Sequence, residues 1–333
     1  MANEVLFKNE DLVKNIIMDP YNFTLKEMTN ILGDTCSKSV YSMLYKNISR
    51  GQVRTLYPRN LIKNADTIKY LFALRDENCI ETVCIRRRTG VTACVSTQVG
   101  CPVRCIFCES GRNGLTRNLS ASEIIQQVLL VKEEINRIVF MGIGEPLYNY
   151  NSLIKSIHIL REREGLDFPT DGISISTVGP IKYLKKLREE HIKIQLVLSL
   201  HATTQDVRDY LMPSMKENDI NDIVKSVVSY SERHNRELTI AYLLLPEIND
   251  NFSDIKNLTS WFKNENVMIN LMRLNNVPQK KLRQPTKIEL NKFKNVLEQY
   301  GLKVKIREAR GDKIRAACGQ LAGNHIDYGK YNS

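Results

Sequence analysis

The sequence predicts an α/β protein built on a parallel sheet, either a partial (β/α)6 barrel or a doubly wound sheet, behind a small helical region. Two observations carry this. Strand-like apolar segments alternate with helical ones from residue 92 to residue 299, the pattern of repeated βαβ units. Polar motifs follow five of those strands, at the strand ends where parallel α/β folds gather their chemistry. No GxGxxG opens the first helix, which argues against a dinucleotide-binding fold.

In chain order, residues 1–65 read as short helices and as an accessory domain. Leu25, Met28, Ile31 and Leu32 recur at helical spacing, and Gly33 is a stop. Ser39 to Tyr45 starts a second helix, interleaving aromatics with Lys38, Lys46, Arg50 and Arg54. Its tyrosines either face RNA or form the core of a small bundle. Residues 66–323 form the main domain. Its first elements, 67–74 and 79–87, read as a strand pair, and Thr92–Gln98 as the first strand of the repeating unit. Ser120 and Glu123 form a capping box before a helix carrying Ile124, Ile125, Val128 and Leu129. Strands are expected at Arg137–Met141, Gly172–Thr177, Lys193–Ser199, Leu238–Leu245 and Met268–Met272. A helix at Lys287–Gln299 and a strand at Lys303–Arg307 complete the series. Residues 324–333 are a C-terminal tail.

The 333 residues can bury one large domain and an accessory one, and 42% apolar content is ordinary for a globular protein. No apolar run approaches the ~20 residues of a membrane helix. The N-terminal stretch lacks the apolar core of a secretory signal. Eight cysteines in such a chain point to a reducing, cytoplasmic setting and to metal-binding or catalytic thiols. The net charge of +11 is concentrated in two segments. Residues 35–75 hold eight Lys/Arg against one acid, and residues 273–315 hold thirteen against four. Two basic segments on an otherwise slightly acidic chain suit a polyanion such as RNA, or simply aid solubility.

The sharpest feature is the stretch CVSTQVGCPVRCIFC, Cys94 to Cys108. Cys101, Cys105 and Cys108 fall in a CxxxCxxC pattern. Three thiolates can hold three irons of a [4Fe–4S] cluster and leave the fourth iron open, whereas closed clusters use four cysteines. Zinc is the other reading, but its ligands usually come as CxxC pairs and number four. Phe107 gives the thiols an apolar neighbour.

The CxxxCxxC stretch resembles the signature of the radical S-adenosylmethionine (radical-SAM) superfamily. The ordered set ETV, CVSTQxGC, CxxxCxxC, MGIGEPL, STVG, SLHA, LMP and AACGQLAG resembles the RlmN/Cfr family of RNA adenine methyltransferases, over roughly residues 79–323. The resemblance implies a partial (β/α)6 radical-SAM barrel, a [4Fe–4S] cluster on Cys101, Cys105 and Cys108, and two SAM molecules per turnover. It implies SAM contacts from Gly144, Glu145, Ser176, Ser199, Leu200, His201 and Asn275. It also implies a mechanism. Cys318 takes a methyl group from one SAM as a thiolate nucleophile. A radical made from the second SAM removes hydrogen from that methyl group, and the resulting carbon radical adds to the adenine ring. Glu81 then takes the ring proton, and Cys94 resolves the adduct by forming a transient disulfide with Cys318.

The implied activity is methylation of an adenosine ring carbon, C2 in preference to C8, in rRNA, tRNA or both. The implied partners are that RNA and an electron donor such as flavodoxin or ferredoxin, with no membrane and a monomeric enzyme. Two other readings stand beside this one. A radical-SAM enzyme acting on a peptide or small molecule has no need of Cys94, Glu81 and Cys318 together. A non-enzymatic RNA-binding module with a structural metal is separated by the brown colour of an iron–sulfur cluster. Cys36, Cys79 and Cys84 match no motif and read as structural.

Overall fold

The structure, a computed structural model, describes residues 11–45, 55–277 and 282–323. The tail at 324–333 and the basic residues Lys46, Arg50, Arg54, Lys280 and Lys281 lie outside them.

Residues 11–18 are helical, and helices α1 (Leu25–Leu32) and α2 (Asp34–Tyr45) follow. Thr24 and Glu27 cap α1 reciprocally, and Gly33, at φ +80°, ends it. The tyrosines are core: Tyr21, Tyr41 and Tyr45 are buried, with ring centroids 5.6 Å apart for Tyr21–Tyr45 and 4.7 Å for Tyr41–Tyr45. Lys38 faces solvent and meets Asp34 at 2.8 Å. Helix does not extend to residue 65. Leu56–Asn64 is a strand, β1, in which only Leu56 and Ile62 are buried. Its exposed residues and the register shift between Pro58 and Asn60 disguise the alternation that would mark it in sequence.

Strands β2 (Thr67–Leu74), β3 (Cys79–Arg87) and β4 (Gly90–Cys94) continue β1 as an antiparallel meander. The expected strand at Thr92–Gln98 is broken. Its first half is β4, and Gln98–Gly100 (β5) leaves to pair with β6 (Leu115–Asn118) in a separate two-stranded sheet. From β4 onward the main sheet is parallel, through β7 (Ile135–Phe140), β8 (Ile173–Thr177), β9 (Gln195–Ser199), β10 (Leu238–Leu244), β11 (Val267–Arg273) and β12 (Lys303–Ile306). The ten strands of this sheet lie in sequence order. A doubly wound sheet requires a reversal of strand order, and this sheet has none, so the partial barrel is the architecture. Within the described residues β1 and β12 do not pair, so the barrel stays open.

The helices between the parallel strands are α3 (Ala121–Leu130), α4 (Tyr150–Arg161), α5 (Ile181–Glu189), α6 (Gln205–Leu211), α7 (Ile220–His234), α8 (Phe252–Phe262) and α9 (Lys287–Gln299). The expected box at the start of α3 is present: Glu123 N–H donates to Ser120 Oγ at 3.2 Å, and Ser120 N–H to Glu123 Oε2 at 2.8 Å. Strand β10 is buried along its whole length, as a central parallel strand must be. Cys79 and Cys84 are buried, while Cys36 is exposed on α2. Among the described residues no helix is long and apolar enough to cross a membrane.

Candidate active site

The C-terminal ends of the parallel strands carry the polar motifs, and the last described residues, 315–323, close over them. After β4 the chain enters the cysteine loop. Its backbone is tied down on several sides. Cys101 N–H donates to Gly114 O at 2.9 Å, Ile106 N–H to Leu211 O at 3.0 Å, and Glu109 N–H to Gly319 O at 2.8 Å. Cys101, Cys105 and Cys108 are partly buried. Burial pushes the Cys101 thiol up to about 12 and Cys105 well above the usual thiol range, with the neighbouring cysteines adding to both. Among the described residues no three His, Cys, Asp or Glu side chains converge as ligands of a single metal ion. Three soft donors distributed round one loop fit a cluster, which asks one thiolate of each of three irons. Phe107 walls the loop and meets His201 edge-to-face, with centroids 5.1 Å apart and planes at 88°.

Glu145 follows β7 and is buried. It accepts from Thr177 Oγ1 at 2.6 Å and Leu147 N–H at 3.0 Å on Oε1, and from Val178 N–H at 2.9 Å on Oε2. Burial nevertheless pushes its carboxyl up to about 7. Gly144 sits at φ +110°, and a β-carbon there would come within 2.7 Å of Gln98 Cβ, so the turn into Glu145 admits only glycine. Ser176 and Ser199, at the ends of adjacent strands β8 and β9, face each other at 3.3 Å. Leu200 is fully buried and turns the chain toward His201. His201 is held at φ +56°, and its Nδ1 accepts from Leu243 N–H at 3.1 Å. Burial, with Arg208 nearby, drives its imidazole down to about 3, so it is neutral at physiological pH.

Cys318 is exposed on the closing segment. Asn275, beyond β11, donates to Cys318 O at 2.9 Å. Gly319 rests against the cysteine loop, and a β-carbon on it would sit 3.0 Å from Phe107 O. Burial pushes the Cys94 thiol up to about 12, and the electrostatic influence of Cys318 pushes the same way, so the two thiols share one neighbourhood. Glu81, on β3, is buried and does not face open solvent. It pairs with Lys69 Nζ on β2 at 3.0 Å, and its Oε2 accepts from Ala322 N–H at 2.7 Å and Gly323 N–H at 2.9 Å. Ser110 Oγ adds a bond to Leu321 O at 2.7 Å. The structure thus brings together all thirteen residues singled out in the sequence around one end of the sheet.

Three supporting residues were not anticipated. Lys69 stands inside TIKYLFAL, and a lone cation in an otherwise apolar strand was a usable signal. Gln98, whose Oε1 accepts from Glu145 N–H at 2.8 Å, stands inside CVSTQxGC but was given no role there, and the buried Arg208 gave no signal.

Comparison with known proteins places this site in context. Residues 95–259 match the model of the Radical SAM superfamily. A probable RNA methyltransferase of Rhodopseudomonas palustris is 47% identical over 82% of this chain and 76% of its own length. A probable dual-specificity RNA methyltransferase RlmN of Pseudothermotoga lettingae is 37% identical over 93% and 90% respectively. A crystal structure of a radical SAM methyltransferase from Sphaerobacter thermophilus superposes with a TM-score of 0.87 at 30% identity, over 92% of this chain and 100% of that one.

Proposed function

The chain belongs to the RlmN/Cfr family of radical-SAM RNA methyltransferases, and on that premise we propose that it methylates a ring carbon of adenosine, C2 in preference to C8, in rRNA or tRNA, with Cys318 as the methyl carrier. The observation that supports this reading is the seating of the Cys318 segment. Glu109, Asn275 and Glu81 hold it from three sides, although they lie far from it in the sequence. A tether that elaborate is unnecessary for a spare thiol.

Cys101, Cys105 and Cys108 would hold the cluster, and Gly144, Glu145, Ser176, Ser199, Leu200, His201 and Asn275 would surround SAM. When bound, these two groups supply the methyl group and the radical chemistry that an unreactive ring carbon requires, with two SAM consumed per turnover.

The protein's own residues divide the remaining work. Cys94 and Cys318 are both thiols near one methyl donor, and only one should be methylated. Thiolates, not thiols, are nucleophiles. With its pKa near 12, Cys94 stays protonated, and exposed Cys318 takes the methyl group. Cys94 then attacks the Cys318 sulfur only as it gives up its proton: the Cys94–Cys318 disulfide would form as the bond from the Cys318 sulfur to the transferred carbon breaks, and that carbon would keep the electron pair and gain a proton, becoming the product methyl group. Glu81 would accept the ring proton. Because it caps Ala322 and Gly323, protonation weakens its hold on the segment carrying Cys318, which frees that sulfur to move toward Cys94.

Two substitutions test this. Cys318→Ala should retain iron yet form no methylated RNA. Cys94→Ala should accumulate protein covalently joined to RNA, seen as a nuclease-sensitive slow band on a denaturing gel. Methylation by Cys318→Ala, or repeated turnover by Cys94→Ala without adduct, overturns the proposal.

A further inference from the structure

Arg208 lies on α6, between the LHA turn and the LMP motif. It is 0% exposed and heads the largest fully buried side chains of the protein. Its guanidinium donates to Leu200 O at 2.6 Å and to Val178 O, the backbone just beyond β9 and β8. Its Nε has no hydrogen-bond partner, and among the described residues no carboxylate lies within ion-pair distance. Burial lowers its own pKa, and Cys105, Asp209 and Glu145 lie near enough to act against that electrostatically, Cys105 the most. The same helix is stitched to the cysteine loop, through Ile106 N–H to Leu211 O at 3.0 Å.

A buried guanidinium without a counter-ion is costly. Two carbonyl acceptors do not account for it, because a neutral amide side chain offers donors without the charge. What the position offers is a fixed positive charge facing the thiol loop. Charge and hydrogen bonds near a cluster set its reduction potential, and a nearby cation favours the more negative, reduced form.

We propose that Arg208 is a positioning residue for the cluster: its buried charge supplies the counter-ion for the Cys101–Cys105–Cys108 thiolates and raises the potential at which the cluster accepts an electron. This rests on those three cysteines holding the cluster.

The test uses full-length protein, reconstituted anaerobically with iron and sulfide, without SAM or RNA. Iron content and the cluster's midpoint potential, from an EPR-monitored redox titration, are compared for wild type, Arg208→Lys and Arg208→Gln. R208K keeps the charge and loses the two-armed fork. It should melt at a lower temperature while keeping the wild-type potential. R208Q keeps donors and loses the charge. Its potential should move to more negative values, and it should lose iron to a chelator about ten-fold faster. If R208Q does not fold, R208M, which keeps the volume, takes its place. A neutral variant with wild-type iron and wild-type potential overturns the proposal, because a purely structural arginine moves the melting temperature alone. Wild-type protein that takes up no iron overturns this proposal together with the cluster assignment beneath it.

Discussion

Replacing Lys69 by Met strips Glu81 of its ammonium partner inside the protein. Both side chains are 3% exposed, and they meet at 3.0 Å. At that separation the raw attraction is roughly 5–6 kcal/mol for an effective dielectric of about 20. Most of it offsets the desolvation of the two ions, so the pair itself contributes little net stability. Removing one partner is different, because the desolvated carboxylate remains; such changes cost about 3–5 kcal/mol. Glu81 keeps the N–H groups of Ala322 and Gly323, both on Oε2, which places the cost at the lower end. We expect K69M to lose about 3 kcal/mol and to melt roughly 4 °C below wild type. The double variant K69M/E81Q should regain at least half of that loss. Its carboxamide oxygen still accepts from Ala322 and Gly323, and no charge is left behind. The assay is thermal unfolding of the anaerobic protein by intrinsic fluorescence, repeated in urea. If K69M melts within about 1 °C of wild type, or K69M/E81Q is less stable than K69M, the argument from a desolvated carboxylate fails.

Three further outcomes are expected. Alanine at any one of Cys101, Cys105 or Cys108 should abolish iron retention in anaerobic protein, since three ligands leave no spare; full iron in a single variant would refute the assignment. His201, whose pKa falls from 6.5 to about 3 on folding, binds fewer protons folded than unfolded, so stability present above pH 6.5 is lost as pH falls toward 3, by at most about 1.4 kcal/mol per pH unit. His201→Asn keeps an acceptor for Leu243 N–H and tolerates the positive φ, so its urea midpoint should fall less between pH 6.5 and 5 than that of wild type, and equal slopes would count against the shift. If the basic segments neutralise RNA phosphates, log affinity should fall against log salt with a slope of roughly −0.7 per phosphate on a single strand; binding indifferent to salt would reduce the positive charge to a solubility feature.

What the sequence made legible was what repeats or what is spelled in a contiguous motif. Helix α9 carries its period and its Thr286–Glu289 cap in adjacent letters, and its observed bounds match the expectation. The parallel strands β7 to β11 were located within two residues because they are short, apolar and separated by helices. Strand β1 was hidden because an edge strand with Pro58 and mostly exposed residues offers no apolar alternation. The break after Cys94 was hidden because Val95 to Gln98 is as strand-like as what precedes it; it follows from Ser96 N–H and Nε2 of Gln127 exchanging bonds, at 2.8 and 2.9 Å, with Gln127 Oε1 and Ser96 O across 31 residues. In the site, cysteines and glycines announced themselves. Lys69 announced only that it was out of place in its strand, and Arg208 announced nothing, because the meaning of a charged residue depends on what it faces, and neither faces a sequence neighbour.

The bonds that close the site join stretches of chain made far apart in time. Ser110 reaches Leu321 across 211 residues, and Glu81 reaches Gly323 across 242. The sheet is the opposite, each strand pairing with a neighbour laid down shortly before it. During synthesis, at about 5–20 residues per second, such a sheet can grow as the chain emerges. The segment bearing Cys318 can only dock afterwards, onto a surface already in place. A nascent chain therefore presents its cysteine loop before the segment bearing Cys318 has been made, and a chain ended between β12 and residue 318 lacks the two N–H groups that cap Glu81.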